Sequence, residues 1–163
     1  MTVRAYIGIG SNLDNPVAQV REAMAELEYL PDSVFHAGSS LYSSTPMGPA
    51  NQPDYVNAVA AVDTLLSAEN LYSELVKIED MQGRTRDGEK WGARILDLDL
   101  LLYGMNTINE KGLVVPHPGM HERDFVIIPL AEIAGNLRIP GKGKLAGLLG
   151  QCENHSVRKL VTG

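Results

Sequence analysis

A long apolar stretch over residues 91–103 dominates the hydrophobic pattern of the chain, and two aspartates interrupt it. Side chains of a strand alternate between the two faces of a sheet, so Asp97 and Asp99 are predicted to share one face, opposite the intervening leucines. Apolar residues on both faces are typical of a central strand that is covered on both sides. A carboxylate pair in such a strand needs compensation, which a bound divalent cation such as magnesium could supply.

A basic segment directly upstream of this strand favours the metal interpretation. It contributes four of the fourteen basic residues of the chain, namely Arg84, Arg86, Lys90 and Arg94. Cations beside a carboxylate pair suit a polyphosphate with its metal ions. The alternative is a solvated charged loop next to aspartates that face water at the strand end, which are the usual surroundings of such residues.

The remaining pattern predicts helices interleaved with strands. Strands are predicted over residues 3–10, 34–43 and 55–66, and helices over residues 16–30 and 68–83. Asn15 before Pro16 and Ser67 are predicted helix caps. Residues 125–130 fit a strand or a helix equally well.

The order of these elements is β-α-β-β-α-β, which indicates a ferredoxin-like fold. We therefore expect one α+β domain over residues 1–163, with helices packed on a mainly antiparallel sheet and additional C-terminal elements.

Several polar or constrained residues lie where they could line a binding site. Three prolines stiffen the loop over residues 45–53, which could shape a pocket or be a plain connection. Tyr55 and Asn57 share a strand face and suit a flat heterocycle, although a cross-strand aromatic beside a surface asparagine fits equally well. His117 is held between two prolines in extended backbone. Glu79 lies close to the apolar stripe of its helix, where it is either a ligand contact or, by default, a surface residue.

Composition narrows the class of protein and its compartment. Hydrophobic residues fill 44% of the 163 positions, which is enough for one folded domain with a core. The net charge of −6 argues against a general nucleic-acid binder. The only cysteine, Cys152, leaves no partner for an internal disulfide. No apolar run approaches the roughly 18 residues of a membrane helix, and no signal peptide is recognised. We therefore expect a cytoplasmic protein without a membrane or nucleic-acid partner.

Four segments together resemble the 6-hydroxymethyl-7,8-dihydropterin pyrophosphokinase family of folate biosynthesis. The most specific is Arg-Ile-Leu-Asp-Leu-Asp-Leu at residues 94–100, which is similar to the family signature Arg-x-Leu-Asp-Leu-Asp-Leu/Ile. The others lie at residues 8–13, 52–57 and 115–117. The resemblance implies a ferredoxin-like α/β sandwich that transfers pyrophosphate from ATP to the hydroxymethyl group of a reduced pterin and releases AMP. We expect the protein to be a monomer.

The resemblance also implies a catalytic set made of two acidic and two basic residues. Asp97 and Asp99 would hold two Mg²⁺ ions, and Arg84 and Arg94 would grip the phosphates during transfer. The other residues that the resemblance places near ATP or its phosphates are Arg86, Leu100, His117 and Arg123.

For the pterin, the resemblance implies a ring that is held between two aromatic side chains and hydrogen-bonded along its polar edge. Tyr55 and Phe125 would form the sandwich, and Asn57 would bond the edge. Trp91 would move with a mobile lid that closes over the nucleotides. The full expected pterin set is Thr45, Pro46, Met47, Tyr55, Asn57, Trp91 and Phe125.

Two other classes of protein remain compatible with the residues alone. A magnesium-dependent nucleotidyltransferase with an Asp-x-Asp site would share the metal ions but would not need the aromatic sandwich. A ferredoxin-like ligand-sensing domain would need neither metal ions nor arginines. Only the pyrophosphokinase converts ATP and the hydroxymethyl pterin into AMP and a pterin diphosphate.

Overall fold

The fold is followed in a computed structural model, which describes residues 1–12, 15–44, 54–83, 96–152 and 157–160. Within these ranges a single 3-10 turn over Met120–Glu122 accompanies the regular strands and helices. In chain order the elements are β1 (Val3–Ser11), α1 (Pro16–Leu27), β2 (Ser33–Gly38), β3 (Tyr42–Ser44), β4 (Tyr55–Thr64), α2 (Ala68–Gly83), β5 (Asp97–Tyr103), β6 (Ile108–Glu110), β7 (Leu113–Val115), α3 (Asp124–Ile133), β8 (Arg138–Ile139), β9 (Gly143–Lys144), α4 (Leu145–Gly150) and β10 (Val157–Lys159).

The main sheet is antiparallel and has the strand order β10-β3-β4-β1-β5, with β2 also paired to β4. If β2 and β3 are counted as one interrupted strand, the chain follows the predicted β-α-β-β-α-β order. Two short ribbons, β6–β7 and β8–β9, lie outside this sheet. The expected ferredoxin-like α+β fold with additional C-terminal elements is therefore confirmed.

The two predicted helix starts are formed by the expected residues. The Asn15 side chain accepts a hydrogen bond from Ala18 N, and proline occupies the first turn of α1. Ser67 Oγ accepts from Asn70 N at 3.1 Å at the start of α2. Each bond satisfies a backbone donor that the first helical turn leaves without an intrahelical partner.

The predicted strand over residues 34–43 is wrong in its continuity. Its pairing with β4 shifts register between Phe35 and Ala37, and the strand is interrupted after Gly38. At Ser39 a side-chain bond takes the place of regular strand pairing with β4. The Ser39 N–H donates to Val59 O, and Ser39 Oγ accepts from Val59 N. Hydrogen bonding by a serine side chain to a neighbouring backbone competes with strand pairing.

Residues 125–130, which the pattern left open, belong to helix α3. This helix contains Pro129, and its apolar side chains pack with α4 and the 3-10 turn on one face of the sheet. The buried residues of this cluster include Met120, Ile127, Leu130 and Leu145. Helices α1 and α2 cover the other face, so the sheet lies between two helical layers.

β5 is an end strand of the sheet order, whereas the apolar pattern predicted a central strand. Its leucines are nevertheless buried on both faces. Leu98 and Leu100 pack in the cluster under α1 and α2, and Leu101 and Leu102 pack in the cluster under α3 and α4. An end strand that helices cover on both faces has the same apolar sequence pattern as a central strand. The reason is that burial of the side chains depends on what covers the two faces, not on how many neighbouring strands are paired.

Glu132 fastens α3 to the start of β3. Its carboxylate accepts hydrogen bonds from Tyr42 Oη at 2.7 Å, Ser40 Oγ at 2.8 Å and Ser40 N at 3.0 Å. Burial and the hydrogen bond to Glu132 raise the pKa of Tyr42 to about 12. Burial alone would raise the pKa of Glu132, but the hydrogen bonds from Tyr42 and Ser40 bring it below its ordinary value.

The raised pKa of Tyr42 predicts a loss of stability in alkali. The folded state holds this proton more tightly than the unfolded state, so the stabilisation is complete below about pH 10 and is lost as pH rises through about 12. Urea unfolding of wild type and Tyr42→Phe between pH 9 and 12 should give free energies that converge as pH rises. Tyr29→Phe, at an exposed position, is the matched control. A difference between wild type and Tyr42→Phe that stays constant over this range would contradict the prediction.

None of the helices in the described part of the chain has the length and apolar character needed to span a lipid bilayer.

Candidate active site

Asp97 and Asp99 lie on the α3 side of the sheet at the start of β5. The strand shows alternating burial over its first four residues, with both aspartates half-buried and Leu98 and Leu100 buried. Leu98 belongs to the cluster on the α1/α2 side, and the two aspartates alternate with it. The two carboxylates therefore project from one face, as the alternation in the sequence predicts.

Two glycines of β1 leave the sheet without side chains beside this carboxylate pair. Gly8 is paired with Asp99, and Gly10 is paired with Asp97. A methyl group added to Gly8 would lie 3.4 Å from the Leu101 side chain, which belongs to the cluster on the α3 side. The missing side chains of Gly8 and Gly10 thus face the same side as the aspartates, and we refer to this pair as the glycine floor.

Asn57 borders the glycine floor from the opposite side. Asn57 on β4 pairs with Gly10 on β1, and Gly10 pairs in turn with Asp97 on β5. The glycine floor therefore lies between Asn57 and Asp97. Neighbouring strands are about 4.8 Å apart, which puts the backbones of Asp97 and Asn57 about 10 Å apart. A methyl group on Gly10 would lie 3.2 Å from Asn57 Nδ2, so the amide reaches over the floor. The result is a cleft with carboxylates on one side and a carboxamide on the other.

The orientation of the Asn57 amide is set by Ser44, a residue that the sequence pattern did not single out. Ser44 Oγ donates a hydrogen bond to Asn57 Oδ1 at 2.6 Å, and both side chains are buried. With Oδ1 engaged, the Nδ2 group is the part of the amide that lies over the floor. The side chain therefore presents a hydrogen-bond donor to the cleft. Tyr55 lies two residues earlier on β4 and is half-buried.

His117 lies beside Asp99. Its Nε2 atom is 3.8 Å from Asp99 Oδ1, and its backbone N–H donates to Leu101 O at 2.9 Å. The backbone bond ties the Pro-His-Pro segment to β5, which explains how a histidine distant in sequence reaches the carboxylate pair.

A cavity of about 250 Å³ opens next to Asp99. Asp99, Leu100 and His117, three of the expected site residues, form part of its wall. The other lining residues come from α2 and from the segment around β7, namely Tyr72, Gly112, Leu113, Val114 and Pro118.

Phe125 and Arg123 lie together at the start of α3. The Arg123 guanidinium carbon is 5.9 Å from the centroid of the Phe125 ring, which is a cation–π distance. Phe125 packs partly against the cluster on the α3 side of the sheet, which is also the side of the glycine floor. One helix end thus carries an aromatic ring and a cation on the face that the aspartates occupy.

The acidic pair fits the donor chemistry of Mg²⁺. Magnesium prefers oxygen ligands and usually takes one or two carboxylates, completing its shell with substrate phosphates and water. Asp97 and Asp99 supply carboxylates from one strand face, and the Asp99 side chain is 46% exposed, so a substrate can reach it. Seven expected site residues lie outside the described residues, namely Thr45, Pro46, Met47, Arg84, Arg86, Trp91 and Arg94.

The sequence pattern favours close backbone packing over a phosphate-binding turn at Gly8 and Gly10, and it identifies neither these glycines nor Ser44 as parts of this cleft. The available signal for the glycines was their spacing of two within a strand, which puts both on one face and leaves that face bare. For Ser44 there was no local signal, because its contact with Asn57 joins two strands separated by the loop over residues 45–53.

Comparison with known proteins agrees with the residues assembled here. Residues 6–135 match the family model described as 7,8-dihydro-6-hydroxymethylpterin-pyrophosphokinase. The chain is 46% identical over 158 residues to the 2-amino-4-hydroxy-6-hydroxymethyldihydropteridine pyrophosphokinase of Haemophilus influenzae, covering 97% of this chain and 98% of that one. It is 44% identical over 160 residues to the enzyme of the same name from Pseudomonas aeruginosa, covering 98% of each.

Solved structures support the fold. The chain superposes with a TM-score of 0.75 on wild-type Plasmodium falciparum HPPK-DHPS crystallised with SDX-DHP, at 11% sequence identity. The match covers 99% of this chain but only 48% of the solved one, so the chain spans about half the length of that protein. The sequence matches, which extend over most of the chain, show that it belongs to the 7,8-dihydro-6-hydroxymethylpterin-pyrophosphokinase family and is a pyrophosphokinase of folate biosynthesis.

Proposed function

We propose that this pyrophosphokinase carries out its transfer across the glycine floor, with ATP on the β5 side and 6-hydroxymethyl-7,8-dihydropterin on the β4 side. The observation that carries this proposal is the register Asp97–Gly10–Asn57, in which only a glycine separates the carboxylates from the carboxamide. A flat ring resting on the floor brings its hydroxymethyl group towards the carboxylate side without meeting a side chain of β1.

On the β4 side, the chemistry of Asn57 suits the polar edge of a pterin. Its Nδ2 group donates, and its Oδ1 atom is already engaged by Ser44, so the amide offers a donor in a fixed orientation. Phe125, on the same side of the sheet, offers an aromatic face, and Tyr55 on β4 is the second member of the proposed sandwich. A ring held by stacking and by one buried donor is oriented as well as bound.

On the β5 side, Asp97 and Asp99 would hold two Mg²⁺ ions together with the ATP phosphates. Bound Mg²⁺ neutralises phosphate charge and stabilises the entering and leaving oxygens of an in-line displacement. His117, next to Asp99, and Arg123, at the start of α3, can donate to phosphate oxygens. The cavity next to Asp99 is the proposed position of the nucleoside, because Leu100, an expected nucleotide contact, forms part of its wall.

In the proposed reaction the pterin hydroxyl oxygen bonds to the β-phosphorus of ATP, and the bond from that phosphorus to the bridging oxygen of AMP breaks. The hydroxyl proton is released, and AMP carries the electron pair of the broken bond. Such phosphoryl transfers pass through loose transition states, so the protein acts by alignment and by neutralising charge. The roles assigned here to the cleft residues need no general base.

The activity test uses the purified chain with ATP, Mg²⁺ and 6-hydroxymethyl-7,8-dihydropterin. We expect AMP and pterin diphosphate in equal amounts, measured by chromatography and ³¹P NMR, and no product when Mg²⁺ is omitted. A nucleotidyltransferase would instead release pyrophosphate, and a ligand-sensing domain would leave ATP intact. Either of these results would contradict the proposed reaction.

The proposal also includes a single domain that acts as a monomer in the cytoplasm on these two small molecules, without a nucleic-acid partner. The net charge of −6 and the single cysteine support this part. Size-exclusion chromatography with light scattering should give the mass of one chain. A dimer mass at micromolar protein concentration would contradict the monomeric state.

A further inference from the structure

Glu79 of α2 contacts the backbone of β5 between the two aspartates. Its Oε2 atom accepts a hydrogen bond from Leu98 N at 2.7 Å. Leu98 separates Asp97 from Asp99 in the sequence, so this contact lies on the peptide that connects the two expected metal ligands. A short bond from a backbone N–H to a carboxylate is charge-assisted and stronger than a neutral one.

The position of β5 at the end of the sheet order explains why Leu98 can make this bond. In an antiparallel pair the backbone N–H groups of one strand point alternately towards the partner strand and away from it. Since the Leu98 N–H donates to α2, the N–H groups of Asp97 and Asp99 point towards β1, with which both residues are paired. The Glu79 bond therefore holds the edge of β5 that faces away from β1.

Helix α2 is itself held rigidly enough to serve as an anchor. Leu75 and Ile78 are buried in the same cluster as Leu98, so the helix packs directly on this part of the sheet. Gln82, three residues after Glu79, donates to the backbone oxygen and to Oε1 of Gln19 on α1, at 3.2 Å and 2.9 Å. The last turn of α2 is thereby joined to α1, and Glu79 is presented from a fixed backbone.

We propose that Glu79 is a positioning residue for pyrophosphoryl transfer, because it holds the β5 backbone that aims Asp97 and Asp99 at one site. This inference rests on the proposed function of the two aspartates. β5 begins at Asp97, and strand ends open more readily than strand centres. Pairing with β1 on one edge and the Glu79 bond on the other fix the first three residues of β5 from both sides.

Three substitutions at Glu79 separate the hydrogen bond from the charge. Glu79→Gln keeps an acceptor oxygen at the same distance from the backbone but loses the charge. Glu79→Asp keeps the charge but is one methylene shorter, so we expect it to lose the bond to Leu98 N. Glu79→Ala removes both. Asp80→Ala, which removes a neighbouring exposed carboxylate of the same helix, is the matched control.

The first readout needs no substrate and no metal ion. Amide hydrogen exchange of Leu98, followed by NMR in ¹⁵N-labelled protein, should be at least about 10-fold faster in Glu79→Ala and Glu79→Asp than in wild type, the effect of losing one bond to a charged group. Glu79→Gln should stay closer to wild type, and Asp80→Ala should be unchanged. Unchanged Leu98 exchange in Glu79→Ala would overturn the proposal.

The second readout is the Mg²⁺ dependence of turnover. Glu79→Ala and Glu79→Asp should raise the half-saturating Mg²⁺ concentration and lower kcat, each by about 10-fold, whereas Glu79→Gln should recover most of both. Faster Leu98 exchange without any change in Mg²⁺ dependence or kcat would make the bond merely structural and overturn the proposal. Equal impairment of Glu79→Gln and Glu79→Ala would also overturn it, because the charge would then be the cause.

Failure of this inference and failure of the proposed function give different results. If the aspartates do not hold Mg²⁺, substitution of Asp97 or Asp99 leaves the Mg²⁺ dependence intact while Leu98 exchange still responds to Glu79. If only the Glu79 inference fails, the aspartate variants lose Mg²⁺ dependence and Glu79→Ala does not. Thermal unfolding of each variant shows whether it is folded, and Glu79→Asp, which also loses the bond, provides the test should Glu79→Ala not fold, with Glu79→Gln as its control.

Discussion

Asp97→Ala or Asp99→Ala should lower turnover by at least ~100-fold, because each substitution removes a carboxylate from the strand face that is expected to hold the metal-bound phosphates. Asp97→Asn and Asp99→Asn, which keep the shape of the side chain, should be impaired to a similar degree, since the amide lacks the charge that Mg²⁺ needs. Steady-state rates at saturating ATP and pterin, measured over a range of Mg²⁺ concentrations, give the effect.

Two controls make this prediction specific to the carboxylate pair. Asp80→Ala removes an exposed acidic residue of α2 and should leave turnover near that of wild type. Circular dichroism and thermal unfolding should show that the Asp97 and Asp99 variants fold, because both side chains are only half-buried. Turnover near wild type at saturating Mg²⁺ for either alanine variant would refute the assigned role.

Asn57→Leu should weaken pterin binding by about 10-fold to 100-fold while leaving ATP binding unchanged. The substitution removes the Nδ2 donor over the glycine floor and also leaves the buried Ser44 hydroxyl without its acceptor. Without the Nδ2 donor, the acceptor on the pterin edge is buried unpaired in the complex, which costs about 1–3 kcal/mol and corresponds to the expected loss of affinity. Titration with the pterin in the presence of a non-hydrolysable ATP analogue, and with the analogue alone, separates the two affinities.

Ser44 and its neighbour give a graded test of the same interaction. Ser44→Ala frees the Asn57 amide to rotate and should weaken pterin binding by less than Asn57→Leu, because the donor itself is retained. Ser43→Ala changes the adjacent residue, which pairs with Val56 and alternates away from the cleft, and should have no effect. Equal pterin affinity of wild type and Asn57→Leu would exclude Asn57 from the pterin site.

Local pattern was sufficient where one element determines its own limits. The caps at Asn15 and Ser67 form as predicted, because a cap depends on residues within one helical turn. The shared face of Asp97 and Asp99 also follows from the strand period alone, and the apolar leucines between them lie on the opposite face. The family resemblance added the roles of residues that no local pattern could relate to one another.

Pattern was insufficient where the partner of a residue lies far along the chain. The strand predicted over residues 34–43 is broken because Ser39 bonds Val59 on another strand. The strand of the two aspartates has a buried pattern on both faces and was predicted to be central, yet it lies at the end of the sheet order. Hydrophobic periodicity reports how deeply each face of a strand is buried, not where the strand lies in the sheet. A central strand and an end strand covered by helices on both faces would bury the same leucines.

The sequence by itself thus determined the order of strands and helices, the starts of the first two helices, the common face of Asp97 and Asp99, and through its resemblance the family. Only the tertiary structure decided that Gly8 and Gly10 lie between those aspartates and Asn57, that Ser44 orients the Asn57 amide, and that Glu79 bonds the Leu98 backbone. The reason is physical: propensity and periodicity act over a few residues, whereas strand register and helix packing join positions that are up to about ninety residues apart in this cleft, and no local interaction specifies those pairings.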